Sequence, residues 1–201
     1  MNWSPDGRQI VFDARPQDHS AIFVISPAGS EPRLLDANSY EERMPCWSTD
    51  GQFLYFNSNR SGTLAIWRRS LVNGSMQRIS PDGVFAVSVT PEGIVYSSRG
   101  GDLWRSGFDG SNSSRFPGDL KAFPVMSWFI QGQSLYLSQP NLHSHGFSIL
   151  RYTDGRVATI KTDSGALVPN APDLAVSPDG KWLLYAQEDN SQSDLKIRMM
   201  R

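Results

Sequence analysis

The phrase Trp-Ser-Pro-Asp-Gly at residues 3–7 returns along the chain with small changes. It reads WSTDG at 47–51, VTPEG at 89–93, WFIQG at 128–132 and VSPDG at 176–180. The glycines that close these phrases are 44, 42, 39 and 48 residues apart. A recurrence of about 40–45 residues is the usual length of a four-stranded β-propeller blade. The spacing therefore predicts an all-β chain folded as a propeller.

The segments between these anchor phrases support the same fold. Short β-prone runs such as FLYF at 53–56 and WLLYA at 182–186 are separated by Gly- and Pro-rich turns. Such turns recur about every 8–12 residues, as expected of all-β folds. Each repeat reads as an innermost strand at the anchor followed by three strands outward.

The repeats predict about five blades of four antiparallel strands in a single domain, 1–201. The predicted blades cover roughly 1–36, 43–80, 84–117, 123–161 and 172–201. The first and last blades are expected to be incomplete, with three strands each. This predicts a partial propeller, the C-terminal part of a longer chain whose ring has about six to eight blades. A five-bladed ring with two imperfect blades is the alternative.

The anchor phrase itself has a structural explanation. Asp-Gly favours a tight hairpin, because Gly adopts positive φ without steric cost and Asp bonds the local backbone. The Trp or Val that precedes the turn is expected to pack between blades. A similar phrase at 80–83, SPDG, is out of phase with the repeat and is interpreted as a turn linking two blades.

These anchors, and the S-x-R-x-G turns at 58–62 and 97–101, resemble the repeats of the TolB propeller. Similar repeats occur in the propellers of prolyl oligopeptidase relatives and in the C-terminal half of CadC-like bacterial regulators. The resemblance implies a propeller fold and favours a role in binding or sensing. It is weak for function, since propellers serve many unrelated roles.

Composition limits the possible partners and compartments. The formal net charge is -1 at pH 7, so no electrostatic grip on nucleic acid is predicted. No apolar run is long enough for a membrane span, and the N-terminus has no signal-peptide pattern. The single Cys46 leaves the redox compartment unreadable. Localisation stays open between periplasm and cytoplasm.

Enzyme motifs are largely absent from the sequence. There is no G-x-S-x-G, no P-loop and no G-x-G-x-x-G, and no cofactor is predicted. His143 and His145 are spaced to face one side of a strand and are weak metal candidates. The favoured interpretation of the pair is a polar hairpin loop, since His19 is the only other histidine.

Three arginines fall at nearly the same phase, in the turn after the second strand of a repeat: Arg15, Arg60 and Arg99. They are candidates to line one rim and bind an acidic partner. The preferred alternative is that each arginine bonds carbonyls or an acid in its own turn.

The sequence thus predicts a non-enzymatic protein-interaction or ligand-sensing propeller module, with a protein partner, in a larger bacterial protein such as a transcriptional regulator. The alternative is the accessory propeller of an enzyme. That enzyme would be either a serine peptidase whose propeller gates substrate or a metal-dependent lyase.

Overall fold

The computed structural model describes residues 1–16, 18–98, 100–116, 120, 128–140, 146–163, 166–167, 174–177, 179–189 and 192–199. These residues form five four-stranded sheets, and no helix occurs among them. Every strand pairing that they show is antiparallel. The all-β class and the four-stranded sheets predicted from the recurrence are confirmed.

Two compact units divide the chain, Met1–Arg99 with Trp104–Arg115, and Gly100–Leu103 with Phe116–Arg201. The first unit holds the first three sheets apart from Leu103, and in each sheet the strands are neighbours in chain order. Their strands are β1 (Asn2–Trp3), β2 (Ile10–Ala14), β3 (Ala21–Ile25), β4 (Arg33–Leu34), β5 (Glu42–Trp47), β6 (Phe53–Ser58), β7 (Ala65–Ser70), β8 (Met76–Arg78), β9 (Val84–Thr90), β10 (Gly93–Ser98), β11 (Leu103–Ser106) and β12 (Ser114–Arg115).

The second unit holds the fourth and fifth sheets. Their strands are β13 (Trp128–Gln131), β14 (Ser134–Pro140), β15 (Phe147–Thr153), β16 (Arg156–Asp163), β17 (Ala166–Leu167), β18 (Leu174–Val176), β19 (Trp182–Asp189) and β20 (Gln192–Met199). In the fifth sheet β20 pairs along all of β19, so β17 and β18 share the other edge of β19.

The first sheet corrects the expectation of three strands, and the last sheet adds a short piece to the three expected strands. In the first sheet Asn2 and Trp3 are sufficient to form a short inner strand, paired with Val11 and Ile10. In the fifth sheet the three expected strands are present as β18, β19 and β20, and the two-residue β17 is an additional piece on the same edge of β19 as β18.

The Asp-Gly turns close through a shared set of local hydrogen bonds. In the turns that begin at Ser4, Ser48 and Ser177, the serine hydroxyl donates to the aspartate Oδ1 at 2.5–2.6 Å. The same hydroxyl accepts the N–H five residues ahead at 2.9 Å. The closing glycine of each turn has φ between 68° and 70°, a conformation that favours glycine. These bonds explain why the phrase requires Ser as well as Asp-Gly.

Strand β6 shows how the first unit builds its core. Leu54 and Phe56 belong to a buried cluster with residues of the first sheet, whereas Tyr55 belongs to a cluster with residues of the third. Side chains alternate between the two faces of a strand, so a sheet covered on both faces needs a continuous apolar run. This accounts for the FLYF sequence.

The first residue of the anchor phrase packs between sheets in two of the three copies that contain Asp-Gly, at 47–51 and 176–180 but not at 3–7. Trp47 is 7% exposed and contacts the cluster shared by the first two sheets, while Val176 is buried in a cluster with residues of the fourth sheet. Trp3, in contrast, is 56% exposed. The expectation is wrong for Trp3, which belongs to none of the described buried clusters.

Candidate interaction surface

The described candidate arginines lie at one end of the first two sheets. Arg15 follows β2, and Arg60 follows β6. The Asp-Gly turns precede these same strands, so they lie at the opposite end. The segment that enters β5, Glu41–Arg43, reaches the arginine end from the first sheet. Arg15, Glu41 and Arg43 together are called the arginine rim below.

Glu41 is the centre of the arginine rim. Arg15 Nη2 donates to Glu41 Oε1 at 3.2 Å, and Arg43 Nη2 and Nε donate to Glu41 Oε2 at 2.7 and 3.0 Å. Arg15 Nη2 also donates to the carbonyl of Asp18 at 2.5 Å. Arg15 therefore bonds both its own turn and an acid from the connection to the next sheet.

Backbone hydrogen bonds hold Glu41 in place. The N–H of Ser20 donates to Glu41 Oε2 at 3.3 Å, and the N–H of Glu41 donates to Asn59 Oδ1 at 2.9 Å. Partial burial raises the pKa of Glu41, but the bonds from Arg43 and the Ser20 N–H outweigh it and leave the pKa below its usual 4.5. The carboxylate therefore stays ionised and fixes the two arginines on either side.

Arg60 is held differently, in a nearly buried ion pair with Glu42. Its Nη2 donates to Glu42 Oε1, and the side chains are 14% and 1% exposed respectively. Burial raises the pKa of Glu42 above its usual 4.5, and the Arg60 charge offsets part of that rise. Arg60 Nε also donates to the Ser58 hydroxyl at 3.2 Å.

Aromatic rings surround the Arg60 guanidinium. Its central carbon lies 5.2 Å from the ring centroid of Trp67 and 5.6 Å from those of Tyr40 and Phe56. Distances below about 6 Å are within the range of cation–π attraction. Phe56 and Trp67 contact the core shared by the first two sheets, so Arg60 covers one end of that core. The structure therefore gives Arg60 internal partners, and its predicted binding role stays a prediction.

The opposite end carries a polar cleft between the first two Asp-Gly turns. It encloses about 320 Å³ and is lined by residues of both turns, including Asp6 and Asp50, with Trp47 at its base. The Ser4 hydroxyl beside Asp6 and the Ser48 hydroxyl beside Asp50 lower the pKa of each carboxyl below its usual 3.8. Each accepting oxygen is already bonded by its own turn, so the turn geometry accounts for both acids.

Several residues singled out from the sequence are not tested by the structure. Arg99, His143 and His145 lie outside the described residues. Within the described ranges, no group of three or more His, Cys, Asp or Glu side chains is placed to hold a metal ion. Cys46 is 8% exposed, and burial raises its pKa to about 12, which leaves its thiol protonated and unreactive at neutral pH.

Sequence reasoning missed the acidic partners of the arginines. Glu41 and Glu42 lie in the run EERM that connects the first predicted blade to the second. Two adjacent acids just before a strand, followed by Arg43, are a local signal for a charged rim. Their pairing with Arg15 and Arg60 is not readable, because the partners are 26 and 18 residues away.

No helix in the described part of the chain combines the length and apolar character that crossing a membrane requires.

Comparisons with known proteins agree with this architecture. The sequence profile of the TolB β-propeller domain, PD40, matches residues 1–103, which is half of the chain. Uncharacterized protein Atu1656 of Agrobacterium fabrum is 31% identical over 107 residues, which are 51% of this chain and 36% of that protein. The uncharacterized peptidase YuxL of Bacillus subtilis is 25% identical over 185 residues, 92% of this chain and 21% of that protein. The chain thus spans about a third or less of these relatives' lengths.

Solved structures show the same fold at lower identity. TolB from Acinetobacter baumannii superposes with a TM-score of 0.79 at 18% identity, over 98% of this chain and 50% of that one. A prolyl endopeptidase structure superposes with a TM-score of 0.64 at 13% identity, over 98% of this chain and 34% of that one. The profile match to the N-terminal half and these superpositions establish that the chain belongs to the TolB β-propeller family.

Proposed function

We propose that this chain is a non-enzymatic protein-binding propeller module, and that the arginine rim is part of its binding surface for acidic segments of a partner. The observation that carries the proposal is the cluster of two half-exposed arginines around a single glutamate. The side chains of Arg15 and Arg43 are 55% and 44% exposed, compared with 23% for Glu41. With Glu41 ionised, the cluster has one positive charge in excess.

Arg15 has donors left for a partner. Its two hydrogen bonds within the described residues both use Nη2, so those residues supply no acceptor for Nε or Nη1. A guanidinium binds a carboxylate through paired N–H groups, and such charge-assisted bonds are stronger than neutral ones. Because Glu41 and Asp18 fix the position of Arg15, little side-chain freedom is lost when a carboxylate binds.

The test is binding of a fluorescein-labelled oligoglutamate peptide, followed by anisotropy at low salt. We expect saturable binding that weakens with added salt, and no comparable binding of an oligolysine peptide. The double substitution Arg15→Gln with Arg43→Gln should weaken binding about tenfold, as expected for losing charge-assisted bonds. Arg8→Gln is the matched control, because Arg8 is exposed at the opposite end of β2.

Absence of oligoglutamate binding would contradict the proposal, as would equal loss of affinity in Arg8→Gln and in the double variant. Thermal unfolding of each variant, followed by circular dichroism, shows whether the fold is retained.

A second candidate function is that of an accessory propeller that gates substrate for a peptidase. The observation that favours it is the 25% identity to a peptidase of Bacillus subtilis over 92% of this chain. The coding sequence before residue 1 and after residue 201 distinguishes the two candidate functions. A hydrolase domain with a G-x-S-x-G motif in that sequence would support the peptidase, and a winged-helix domain would support a regulator.

A further inference from the structure

Strand β16 is longer than the outer strands of the first three sheets and as long as β20, the outer strand of the fifth sheet. The fourth strands of the first three sheets, β4, β8 and β12, have 2, 3 and 2 residues, whereas β16 has 8. Strand order in the fourth sheet is β13-β14-β15-β16, so β16 is an edge strand. In the part of the chain that the structure describes, no strand pairs with its other edge.

The first half of β16 is exposed, whereas Ile160 and Lys161 are partly buried. Residues 156–159 are all exposed, and Val157 is 52% exposed. A long exposed edge presents unpaired N–H and C=O groups, which makes it a template for another strand. Short outer strands, as in the first three sheets, offer little such template.

A β-bulge determines which residues of β16 share a face. Leu150 pairs with Thr159 and Ile149 with Lys161, so Ile160 is the additional residue, and it packs against the buried cluster of the fourth and fifth sheets. By backbone register, one face of β16 then carries positions 156, 158, 161 and 163. Positions 157, 159 and 162 share the other face.

We propose that β16 pairs antiparallel with β16 of a second copy of this chain, with Thr159 opposite Thr159 on the two-fold axis. In this register Arg156 of each copy stands opposite Asp163 of the other, and Ala158 stands opposite Lys161. Every pair takes positions on the same face, as antiparallel pairing requires. The charged ends of β16 are therefore complementary to a second copy of the same strand.

Other symmetric registers are less favourable. An axis at position 158 places Arg156 opposite Lys161, and like charges directly opposite each other destabilise a pair. An axis at position 161 leaves Arg156 and Val157 unpaired. The register centred on Thr159 is the one that uses the whole strand and pairs opposite charges. Because the contact is one strand wide, we expect a weak dimer that forms reversibly.

Charge reversal tests whether the partner of β16 is the same strand of a second copy. Sedimentation of the wild-type chain over a concentration series should show a monomer–dimer equilibrium. Arg156→Asp alone and Asp163→Arg alone should each weaken the dimer about tenfold, since each creates two like-charge pairs. The combination Arg156→Asp with Asp163→Arg should restore it, and Arg8→Asp is the control for a change of net charge.

Disulfide formation tests the register. Thr159→Cys places two thiols opposite each other on the axis, at a separation of about 4.5–5.5 Å between Cα atoms that a disulfide can span. Val157→Cys has no such partner, because its symmetry mate is about four positions away along the strand. Mild oxidation should therefore yield a covalent dimer of the first variant and little of the second. The native Cys46 thiol is buried and should not compete.

A wild-type chain that stays monomeric at all concentrations would overturn the proposal. So would a dimer that the double charge reversal fails to restore, or equal cross-linking of the two cysteine variants. The proposal does not depend on the arginine rim, and oligoglutamate binding is measured separately.

Discussion

The two ends of the first two sheets are built in different ways. At the Asp-Gly end, each turn is closed by side-chain bonds between residues two to five positions apart, and the same bonds recur in both sheets. At the arginine end, local bonds are accompanied by bonds between residues 18, 26 and 31 positions apart, and the second sheet does not repeat those of the first. One end is therefore local and repetitive, and the other depends on how the two sheets are placed.

This difference separates the repeated architecture of a blade from features that occur once in the first two sheets. A turn closed by its own Ser and Asp recurs at Ser4, Ser48 and Ser177, so it builds these blades without adding a specific binding surface. A rim assembled from residues far apart in sequence is not part of the turns that build the blades. This is the reason for placing the proposed binding surface at the arginine end.

The largest expected effect on stability is at Trp47, compared with Trp3, which precedes the same type of turn. Trp47→Ala should lower the free energy of unfolding by about 3–5 kcal/mol, because a buried ring is removed from the core of the first two sheets. Trp3→Ala should change it by about 0.5 kcal/mol or less, since Trp3 is 56% exposed. Urea unfolding measures both. Equal losses of stability in the two variants would show that the anchor phrase, rather than packing between sheets, determines how much each tryptophan stabilises the fold.

The next largest effect is expected at Arg60, compared with Arg15. Arg60→Ala should destabilise by about 3 kcal/mol, because it leaves the Glu42 carboxyl buried without its partner. Arg15→Ala should cost about 1 kcal/mol or less, since its ion pair is exposed to solvent. Replacing Arg60 and Glu42 together by methionine should recover most of the loss. If the double variant does not regain this stability, the Arg60–Glu42 pair does more than neutralise a buried charge.

A smaller effect tests the Asp-Gly end. Ser48→Ala removes a hydroxyl that bonds both Asp50 and the N–H of Phe53, and should cost about 1 kcal/mol. Ser4→Ala should have a similar effect, because the first turn has the same bonds. Ser61→Ala is the control, since Ser61 is exposed and its hydroxyl makes a long bond of 3.4 Å. Unequal effects at Ser4 and Ser48 would contradict the local nature of these turns.

The smallest expected effect is the pH dependence of stability, which has opposite signs for Asp50 and Glu42. Asp50 has a pKa below its usual 3.8, so its contribution to stability is present above that pH and is lost as the pH falls through the lower folded value. Glu42 has a pKa above its usual 4.5, so the folded chain binds more protons and stability falls as the pH rises from about that value.

Unfolding midpoints measured across this pH range separate the two groups. Asp50→Asn should reduce the loss of stability on the acid side, and Glu42→Gln should reduce the loss above 4.5. A Glu42→Gln variant with the wild-type pH profile would contradict the raised pKa.

Most of the strand pattern was predictable because it depends on local chemistry. The Asp-Gly phrases, the apolar runs after them and the period of the repeat locate the first and second strands of each sheet. The strand counts of the first and last sheets were harder. Whether Asn2–Trp3 forms a strand, or β17 joins β18 on one edge of β19, depends on pairing rather than on composition.

The candidate site was predictable only in part. Arg15 and Arg60 stood out by their phase in the repeat, but the phase could not distinguish a half-exposed arginine from one that is nearly buried. That distinction arises from Glu41 and Glu42. Adjacent residues point in different directions as the chain enters a strand, and each glutamate therefore meets a different arginine.

The sequence alone determined the repeat, the Asp-Gly turns and the order of most strands, because these follow from residues close together along the chain. Only the tertiary structure decided that Trp47 is buried while Trp3 is exposed, and that Arg60 is enclosed while Arg15 faces solvent. Burial and ion pairing depend on which surfaces meet in space, and identical local phrases carry no information about the neighbour that each one meets.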